Sequence, residues 1–465
     1  MKTALTELKE IPGAITAPQG FTASGVFCDI KRLGTGTGSN KGQQRDLALI
    51  VSESPAVVAG MFTTNQVCAA PVKVCLERVA RGRARAIVVN SGNANACTGK
   101  QGLKDAFMMT QVAAKNLRLQ TNDVLVGSTG RIGVPLPMDN VRRGIERAAP
   151  LLGNTPAHAS HAAEAILTSD TRQKQIAVEF NLDGKSVRIG GICKGAGMIQ
   201  PGMSPTGKRP ISMPGQGLHA TMLCFLTTDA NLSASALKTF LRNAVARSFN
   251  RITVDGDMST NDTVLILANG ESGNSALTKV KRTNLASSRA DKKRDASKAR
   301  DARVLQSALN YVCLELAKMI VRDGEGVSRF VTIRVSGAKN GADAAAAARA
   351  VANSTLVKTS WCGGDPNWGR IIDALGYSSA TIVEDRVDIA YSIPGSKKLI
   401  HSLRHGQPAR TLFETLCGAV SGKEFDLHIN LNLGKAEAEM YSSDLTEEYV
   451  EFNKGDISDP SSLGG

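Results

Sequence analysis

The hydrophobic pattern of the chain predicts short buried strands interspersed with amphipathic helices. Apolar runs of strand length, too short for a helix, lie at 47–52, 86–90, 124–126, 222–226 and 264–268. Apolar residues spaced as on one face of a helix lie within 105–117, 138–152, 237–249, 305–319 and 342–353. Two late segments, 331–335 and 427–431, alternate as strands do. Ser233 stands where an N-cap of the third helix is expected.

The sequence pattern changes at Thr221 from one that predicts a loop to one that predicts a strand. The residues before it, from Lys194 onward, are rich in Gly and Pro and have no period, which predicts a surface loop. The apolar run after it predicts a buried strand, so a peptide bond at the junction could be cut without disturbing that strand. Thr221 would then begin a new chain, and its free α-amine, titrating at about pH 7.7 to 8.0, could act as base for its own hydroxyl. Pattern alone leaves open an ordinary strand threonine.

Length and composition indicate a soluble globular protein. The 465 residues suggest two or three domains or lobes, and the hydrophobic content is 42%. No apolar run approaches about 18 residues, so the sequence predicts no membrane-spanning helix, and residues 1–10 resemble neither a secretory signal nor a transit peptide. The 9 Cys are scattered without a C-x-x-C pair, which is typical of free thiols in a reducing compartment and predicts a cytoplasmic protein.

The net charge of +14 is concentrated in one segment. Residues 279–303 hold ten Lys or Arg against three Asp, half of the excess, and almost no apolar residue. We therefore expect 276–303 to be a solvated, disordered insertion. The segment has no aromatic residue to stack on bases, which argues against a nucleic-acid partner.

Three acidic residues close in sequence, Asp255, Asp257 and Asp262, could be taken for a metal site. Their spacing lacks the Gly and the distal Glu of an EF-hand loop, and no His is nearby. The sequence predicts neither a metal nor another cofactor. The 6 His have no partners at catalytic or metal-binding spacing, although His219 adjoins the candidate cut.

The residues around the junction carry a resemblance. K-G-A-G-M-I-Q-P from Lys194 and A-T-M-L-C-F-L-T-T-D-A from Ala220 closely resemble the cleavage region of the ornithine acetyltransferases, the glutamate N-acetyltransferases of the cyclic arginine pathway. The interval between Lys194 and Thr221 is longer here than in the family. The resemblance implies an α/β protein in two lobes of layered helices and sheets, of the self-cleaving N-terminal-nucleophile type. It also implies an alpha chain of 1–220 and a beta chain of 221–465, assembled as a heterotetramer with two copies of each.

Other segments extend the resemblance to the site residues. G-S-T-G-R-I-G at 127–133 is a Gly-rich turn after a strand, which can present N–H groups to an anion but is common. The resemblance assigns an oxyanion hole to the hydroxyl of Thr129 and the backbone N–H of Gly130. It also assigns a substrate contact to Thr171 in T-S-D-T, with Thr168 as the alternative register.

The remaining substrate contacts follow from the same resemblance. Lys194 is a second contact; Glu325 in E-G-V-S-R would bind the α-amino group or the ornithine side; and Asn453 with Ser458 would bind the substrate carboxylate. The loop S-G-N-A-N-A-C-T-G, residues 91–99, is shaped either for packing or around the active site. The segment 249–270, with its S-T-N-D-T loop, is also similar to the family.

The implied function is transfer of an acetyl group from N2-acetylornithine to glutamate by ping-pong kinetics, through acetylated Thr221. The residues leave acetyl-CoA open as an additional donor. One alternative is an N-terminal-nucleophile amidase or aminopeptidase that passes the acyl group to water. The other is an uncleaved binding protein that uses the basic insertion to contact an acidic partner.

Overall fold

The computed structural model describes residues 8–31, 44–208, 222–278 and 289–454. The predicted α/β class with two lobes of layered helices and sheets is confirmed: within these ranges the strands form a nine-stranded and a six-stranded sheet. The strands are β1 (Lys9–Glu10), β2 (Phe21–Val26), β3 (Leu47–Phe62), β4 (Arg83–Asn93), β5 (Val124–Arg131), β6 (Lys174–Leu182), β7 (Lys185–Lys194), β8 (Leu223–Thr228), β9 (Thr263–Ala268), β10 (Phe330–Ala338), β11 (Asp388–Ser392), β12 (Ile400–Arg404), β13 (Gln407–Pro408), β14 (Glu424–Asn430) and β15 (Ala436–Ser443).

Helices cover both sheets. They are α1 (Ala70–Val79), α2 (Gly99–Leu117), α3 (Met138–Ala148), α4 (Pro156–Ala165), α5 (Ala234–Ala246), α6 (Arg289–Arg322), α7 (Gly341–Asn353), α8 (Thr355–Cys362), α9 (Trp368–Gly376), α10 (Phe413–Val420) and α11 (Glu447–Asn453).

The larger sheet has the order β1-β6-β7-β8-β9-β3-β4-β5, with β2 also paired to β3. Strands β8 and β9 are parallel neighbours at its centre, between β7 and β3. Leu223 and Phe225 of β8 face a core shared with α1 to α4, whereas Cys224 and Leu226 face a second core shared with α5 and α6. Burial on both faces explains why this strand is a continuous apolar run rather than an alternating one.

Strand β3 is longer than its sequence predicted. The apolar run indicated only 47–52, but the strand continues to Phe62. Its register against β4 shifts between Val51 and Ala56, a stretch that contains Pro55. Proline has no N–H for the ladder and interrupts the hydrophobic pattern, yet it is tolerated at such an irregularity. Beyond the shift, β3 pairs with β9 and so connects the two halves of the sheet.

The smaller sheet has the order β13-β12-β11-β14-β10-β15. Its core is separate and packs against α7 to α10, with Trp361 and Phe425 in edge-to-face contact at its centre. It is joined to the larger lobe both by the chain itself and by hydrogen bonds. Helix α6 runs from the larger lobe into β10, and the backbone N–H of Thr253 donates to the carbonyl of Tyr441 on β15 at 3.0 Å.

Helix α6 differs from its prediction at the N-terminal end. It begins at Arg289, so the part of the basic insertion from there to 303 is helical, a difference from the expected disorder; residues 279–288 lie outside the described ranges. In the described part of the chain, one stretch, Ala296–Arg322, is long and apolar enough to span a membrane. Of its most apolar window 56% is buried, and its apolar residues pack in the core beside β6 and β7. That packing accounts for its composition.

Candidate active site

The strand that follows the candidate nucleophile is fixed at its first residues. Ala220, Thr221 and Ser458 lie outside the described residues. The N–H of Met222 donates to Asp262 Oδ1 at 2.7 Å, and its carbonyl accepts from the N–H of Thr263 at 3.1 Å. In the β7–β8 ladder, Lys194 is directly opposite Leu223. The predicted substrate lysine therefore lies beside the start of the strand that Thr221 precedes.

The predicted oxyanion loop is at the end of β5. Thr129 is completely buried, and its hydroxyl has no hydrogen-bond partner among the described residues. A buried hydroxyl without a protein partner costs free energy, so a ligand atom that accepted a hydrogen bond from it would relieve that cost. Gly130 has a φ of 128°, and a Cβ there would lie 2.3 Å from the carbonyl carbon of Gly92. Glycine is therefore required at this position, beside the buried hydroxyl of Thr129.

The S-T-N-D-T loop connects the oxyanion loop to the strand start. The side-chain amide of Asn261 donates to the carbonyl oxygens of Ser128 at 2.8 Å and Ala94 at 2.7 Å. Its neighbour Asp262 binds Met222, as described above. The loop 91–99, for which the sequence allowed either a packing role or an active-site role, thus lies against the oxyanion loop. Sequence reasoning had marked the S-T-N-D-T segment but assigned Asn261 no role.

A buried cluster of charges lies around Lys194. Lys174 Nζ is 2.6 Å from Asp170 Oδ1 and also pairs with Asp323, and Lys194 Nζ is 3.8 Å from Asp170 Oδ2. The exposed fraction of each of these four side chains is 2% or less. Burial by itself would raise the pKa of Asp170, but Lys194 and Lys174 outweigh it and hold that pKa well below its usual range.

Sequence reasoning found Lys194 in this cluster and missed its partners. Asp170 and Lys174 form an oppositely charged pair four residues apart at the start of a strand, which is a signal the sequence does contain. Asp323 is distant in sequence, and no local pattern connects it to them.

The two candidate threonines both belong to this cluster. The hydroxyl of Thr171 donates to Asp323 Oδ1, and its N–H donates to Asp323 Oδ2 at 3.2 Å. The N–H of Thr168 donates to Asp170 Oδ2 at 3.0 Å. Because the Thr171 hydroxyl proton is committed to Asp323, its oxygen can serve a ligand only as an acceptor.

Two of the predicted contacts from the C-terminal half, Glu325 and Asn453, meet beside the K-G-A-G loop. Asn453 Nδ2 donates to Glu325 Oε2 at 3.0 Å, and the N–H of Glu325 donates to the carbonyl of Ala196 at 2.9 Å. A Cβ on Gly197 would lie 2.1 Å from the Glu325 carboxylate, so glycine is needed for this approach. Burial raises the pKa of Glu325, and hydrogen bonds from Ser169 and Asn453 oppose that shift only in part.

Two of the three acidic residues that could suggest a metal, Asp255 and Asp262, accept hydrogen bonds from backbone N–H groups. Asp255 accepts from the N–H groups of Met198 at 2.5 Å and Ile199 at 2.7 Å. Within the described ranges no group of three or more His, Cys, Asp or Glu is arranged to hold a metal ion. Asp255 thereby fixes the loop that continues from Lys194.

Comparisons with known proteins bear on this site. A model of the ArgJ family matches residues 26–455. The arginine biosynthesis bifunctional protein ArgJ of Symbiobacterium thermophilum is 42% identical over 443 residues, covering 95% of this chain and 98% of the relative. The glutamate N-acetyltransferase of Methanocaldococcus jannaschii is 41% identical over 453 residues, covering 96% and 99%. A crystal structure of ornithine acetyltransferase with ornithine from Mycobacterium tuberculosis is 36% identical, with a TM-score of 0.38 over 42% of this chain and 100% of that chain.

Proposed function

Because the chain belongs to the ArgJ family of arginine-biosynthesis enzymes, we propose that it transfers an acetyl group from N2-acetylornithine to glutamate. One observation carries the proposal. The hydroxyl of Thr129 has no partner among the described residues, and the preceding Ser128 is joined through Asn261 and the adjacent Asp262 to the start of the strand that Thr221 precedes. An acyl-transfer site needs a nucleophile beside a preorganised donor, and this arrangement can supply both.

The proposed mechanism begins with self-cleavage between Ala220 and Thr221. The Thr221 hydroxyl then attacks the acetyl carbonyl carbon while its α-amine accepts the hydroxyl proton. The hydroxyl of Thr129 and the N–H of Gly130 stabilise the tetrahedral oxyanion. The bond to the ornithine nitrogen breaks as the α-ammonium returns the proton to that nitrogen. The α-amine of glutamate attacks the resulting acetyl-threonine ester by the reverse sequence, giving N-acetylglutamate.

One pocket serves both half-reactions, because N2-acetylornithine, the acetylated species of the first, and N-acetylglutamate, that of the second, are both N-acetylated amino acids with a free α-carboxylate. We assign that carboxylate to Lys194 and, at the C-terminal side, to Asn453 and Ser458. Glu325 receives the cationic end of ornithine. Thr171 accepts from a substrate N–H, the hydrogen-bonding direction that its bond to Asp323 leaves open.

The proposal extends to assembly and location. The alpha chain (1–220) and beta chain (221–465) form a heterotetramer with two copies of each, in the cytoplasm, without a nucleic-acid or membrane partner. No metal or other cofactor takes part. Acetyl-CoA is a second donor to be tested in the same assay.

The test combines intact mass, N-terminal sequencing and an acetyl-transfer assay on the purified protein. We expect two fragments, the second beginning Thr-Met-Leu-Cys, and transfer from N2-acetylornithine to glutamate. Thr221→Ala should leave one uncleaved 49 kDa chain and lower transfer by more than about 10³-fold. Thr221→Ser, which keeps a hydroxyl, is the matched control and should still be cut.

Two results would replace the proposal. Acetate released from N2-acetylornithine without glutamate indicates an amidase. A wild-type protein that stays full-length, transfers nothing and binds a polyanion in a salt-sensitive way indicates a binding protein.

A further inference from the structure

We propose that Asn261 is the positioning residue of the oxyanion hole, a role that rests on the proposed function. Asn261 is 1% exposed, and its side-chain amide donates to two carbonyl oxygens from different segments, Ser128 and Ala94. The carbonyl of Ser128 belongs to the peptide whose N–H is that of Thr129. One side chain therefore sets the orientation of the peptide immediately before Thr129.

The oxyanion loop needs an external support because its own ladder is irregular. The register between β4 and β5 shifts at Gly92 and Asn93, opposite Thr129 and Gly130. Such an irregularity re-aims side chains and leaves backbone groups to be satisfied elsewhere. Asn261 satisfies one of them, the carbonyl of Ser128, from outside the β4–β5 ladder.

The loop that holds Asn261 is fixed without its side-chain amide. The N–H of Thr63 donates to the carbonyl of Asp262 at 2.8 Å, and the N–H of Ala69 donates to that of Thr260 at 3.0 Å. The N–H of Asn261 itself donates to Ser259 Oγ at 2.9 Å. Because the loop is anchored by these bonds, removal of the amide should release the oxyanion loop and leave the S-T-N-D-T loop in place.

A role in positioning the oxyanion hole makes a specific kinetic prediction. Formation and breakdown of acetyl-threonine both pass through a tetrahedral oxyanion, so both half-reactions depend on the same donors. A misplacement of about 1 Å can cost about 10²-fold in rate. We expect Asn261→Ala to lower both half-reactions by the same factor, about 10- to 100-fold, with KM values within about twofold of wild type.

Isotope exchange measures the two half-reactions separately. Exchange of labelled ornithine into N2-acetylornithine without glutamate reports the first, and exchange of labelled glutamate into N-acetylglutamate without ornithine reports the second. Wild-type protein that catalyses neither exchange would refute the proposed function itself, whereas wild-type exchange with an unaffected Asn261→Ala would refute only the role of Asn261.

Asn274→Ala is the matched control. Asn274 is also buried, and its amide donates to the carbonyl of Ser275 at 2.8 Å beyond the opposite end of β9. It should leave both exchanges within about twofold of wild type. If Asn261→Ala accumulates uncleaved, the milder Asn261→Ser, which keeps one hydroxyl donor, is measured in its place. An equal fall in both exchanges with unchanged KM supports positioning; a fall in one exchange only, a changed KM, or an equal loss in Asn274→Ala overturns it.

Discussion

The two sides of the candidate site differ in charge: one is made of neutral groups and the other of charged side chains. The oxyanion side consists of a neutral hydroxyl, a glycine and a side-chain amide, those of Thr129, Gly130 and Asn261. The side around Lys194 is a buried network of two lysines and two aspartates, with Glu325 close by. The first side holds neutral dipoles that suit a charge which appears only during reaction. The second holds fixed charges that suit ligands already charged before reaction.

Because of this difference, the neutral side should affect mainly kcat and the charged side mainly KM. Donors aimed at a developing oxyanion contribute mainly in the transition state, so their loss lowers kcat. Charges that pair with a substrate carboxylate or ammonium act in the ground state as well, so their loss raises KM. Substitutions on the two sides should therefore be distinguishable by kinetics alone.

The largest effect is expected on the neutral side. Thr129→Val has nearly the same shape as Thr129 and removes only the buried hydroxyl. We expect kcat to fall by about 10²- to 10³-fold, with KM changed little, because one oxyanion donor is lost. Steady-state kinetics on both substrates measures this. Thr129→Ser keeps the donor and should stay within about tenfold of wild type; a normal kcat in Thr129→Val would contradict the role of Thr129 as an oxyanion donor.

A smaller effect, in the other parameter, is expected on the charged side. Lys194→Met removes the ammonium and retains most of the side-chain volume. We expect KM for N2-acetylornithine and for glutamate to rise by about 10- to 100-fold, the worth of a hydrogen bond to a charged group. Lys358→Met is the control, since Lys358 is also a buried lysine, 3% exposed, but contacts Ser442 and Ser443 instead. A fall in kcat with unchanged KM would contradict the assignment of Lys194.

The smallest effect depends on pH. Burial raises the pKa of Glu325, so this carboxyl stays neutral to higher pH than an ordinary glutamate. As pH rises through that pKa, Glu325 ionises and attracts the ornithine ammonium, so KM for N2-acetylornithine should fall. Glu325→Gln should give a KM that is flat with pH and about tenfold above wild type at pH 8.

KM measured from pH 5 to pH 8 tests the Glu325 prediction. Glu424→Gln, which removes a carboxylate paired with Arg322 at 2.8 Å, should keep the wild-type slope. A slope that persists in Glu325→Gln would assign the titration to another group.

Local pattern predicted the elements that are apolar on both faces or clearly amphipathic. The strand after Thr221 was predicted at 222–226 and is Leu223–Thr228. Ser233 caps α5 as expected, accepting from the N–H of Ala236 at 3.3 Å. The continuation of β3 past Pro55 was not predicted, because strand partners elsewhere in the fold stabilise it. The N-terminal extension of α6 was not predicted either, because its charged residues, although good helix formers, give no apolar period.

The site was predictable where a residue stands in a recognisable motif. Thr129 and Lys194 were predicted in this way; in the structure Lys194 lies opposite Leu223 at the start of β8, and Thr129 follows Ser128, whose carbonyl accepts from Asn261. The residues that hold these two in place were not predicted, for the same reason in both cases. Asp323 is 149 residues from Lys174, and Asn261 is 133 residues from Ser128. Only the tertiary fold brings such residues together, and no period along the chain indicates it.

The order of strands in the larger sheet determines whether folding or chain cleavage comes first. β8 and β9 come after the proposed cut, yet they lie between β7 and β3, which come before it. Two fragments produced by that cut would be interlocked, since separating them means tearing two ladders from the middle of a sheet. Folding must then precede cleavage, the fragments should co-purify without any covalent link, and neither should fold when expressed alone. The cleaved enzyme would thus retain a fold that only the uncleaved precursor can form.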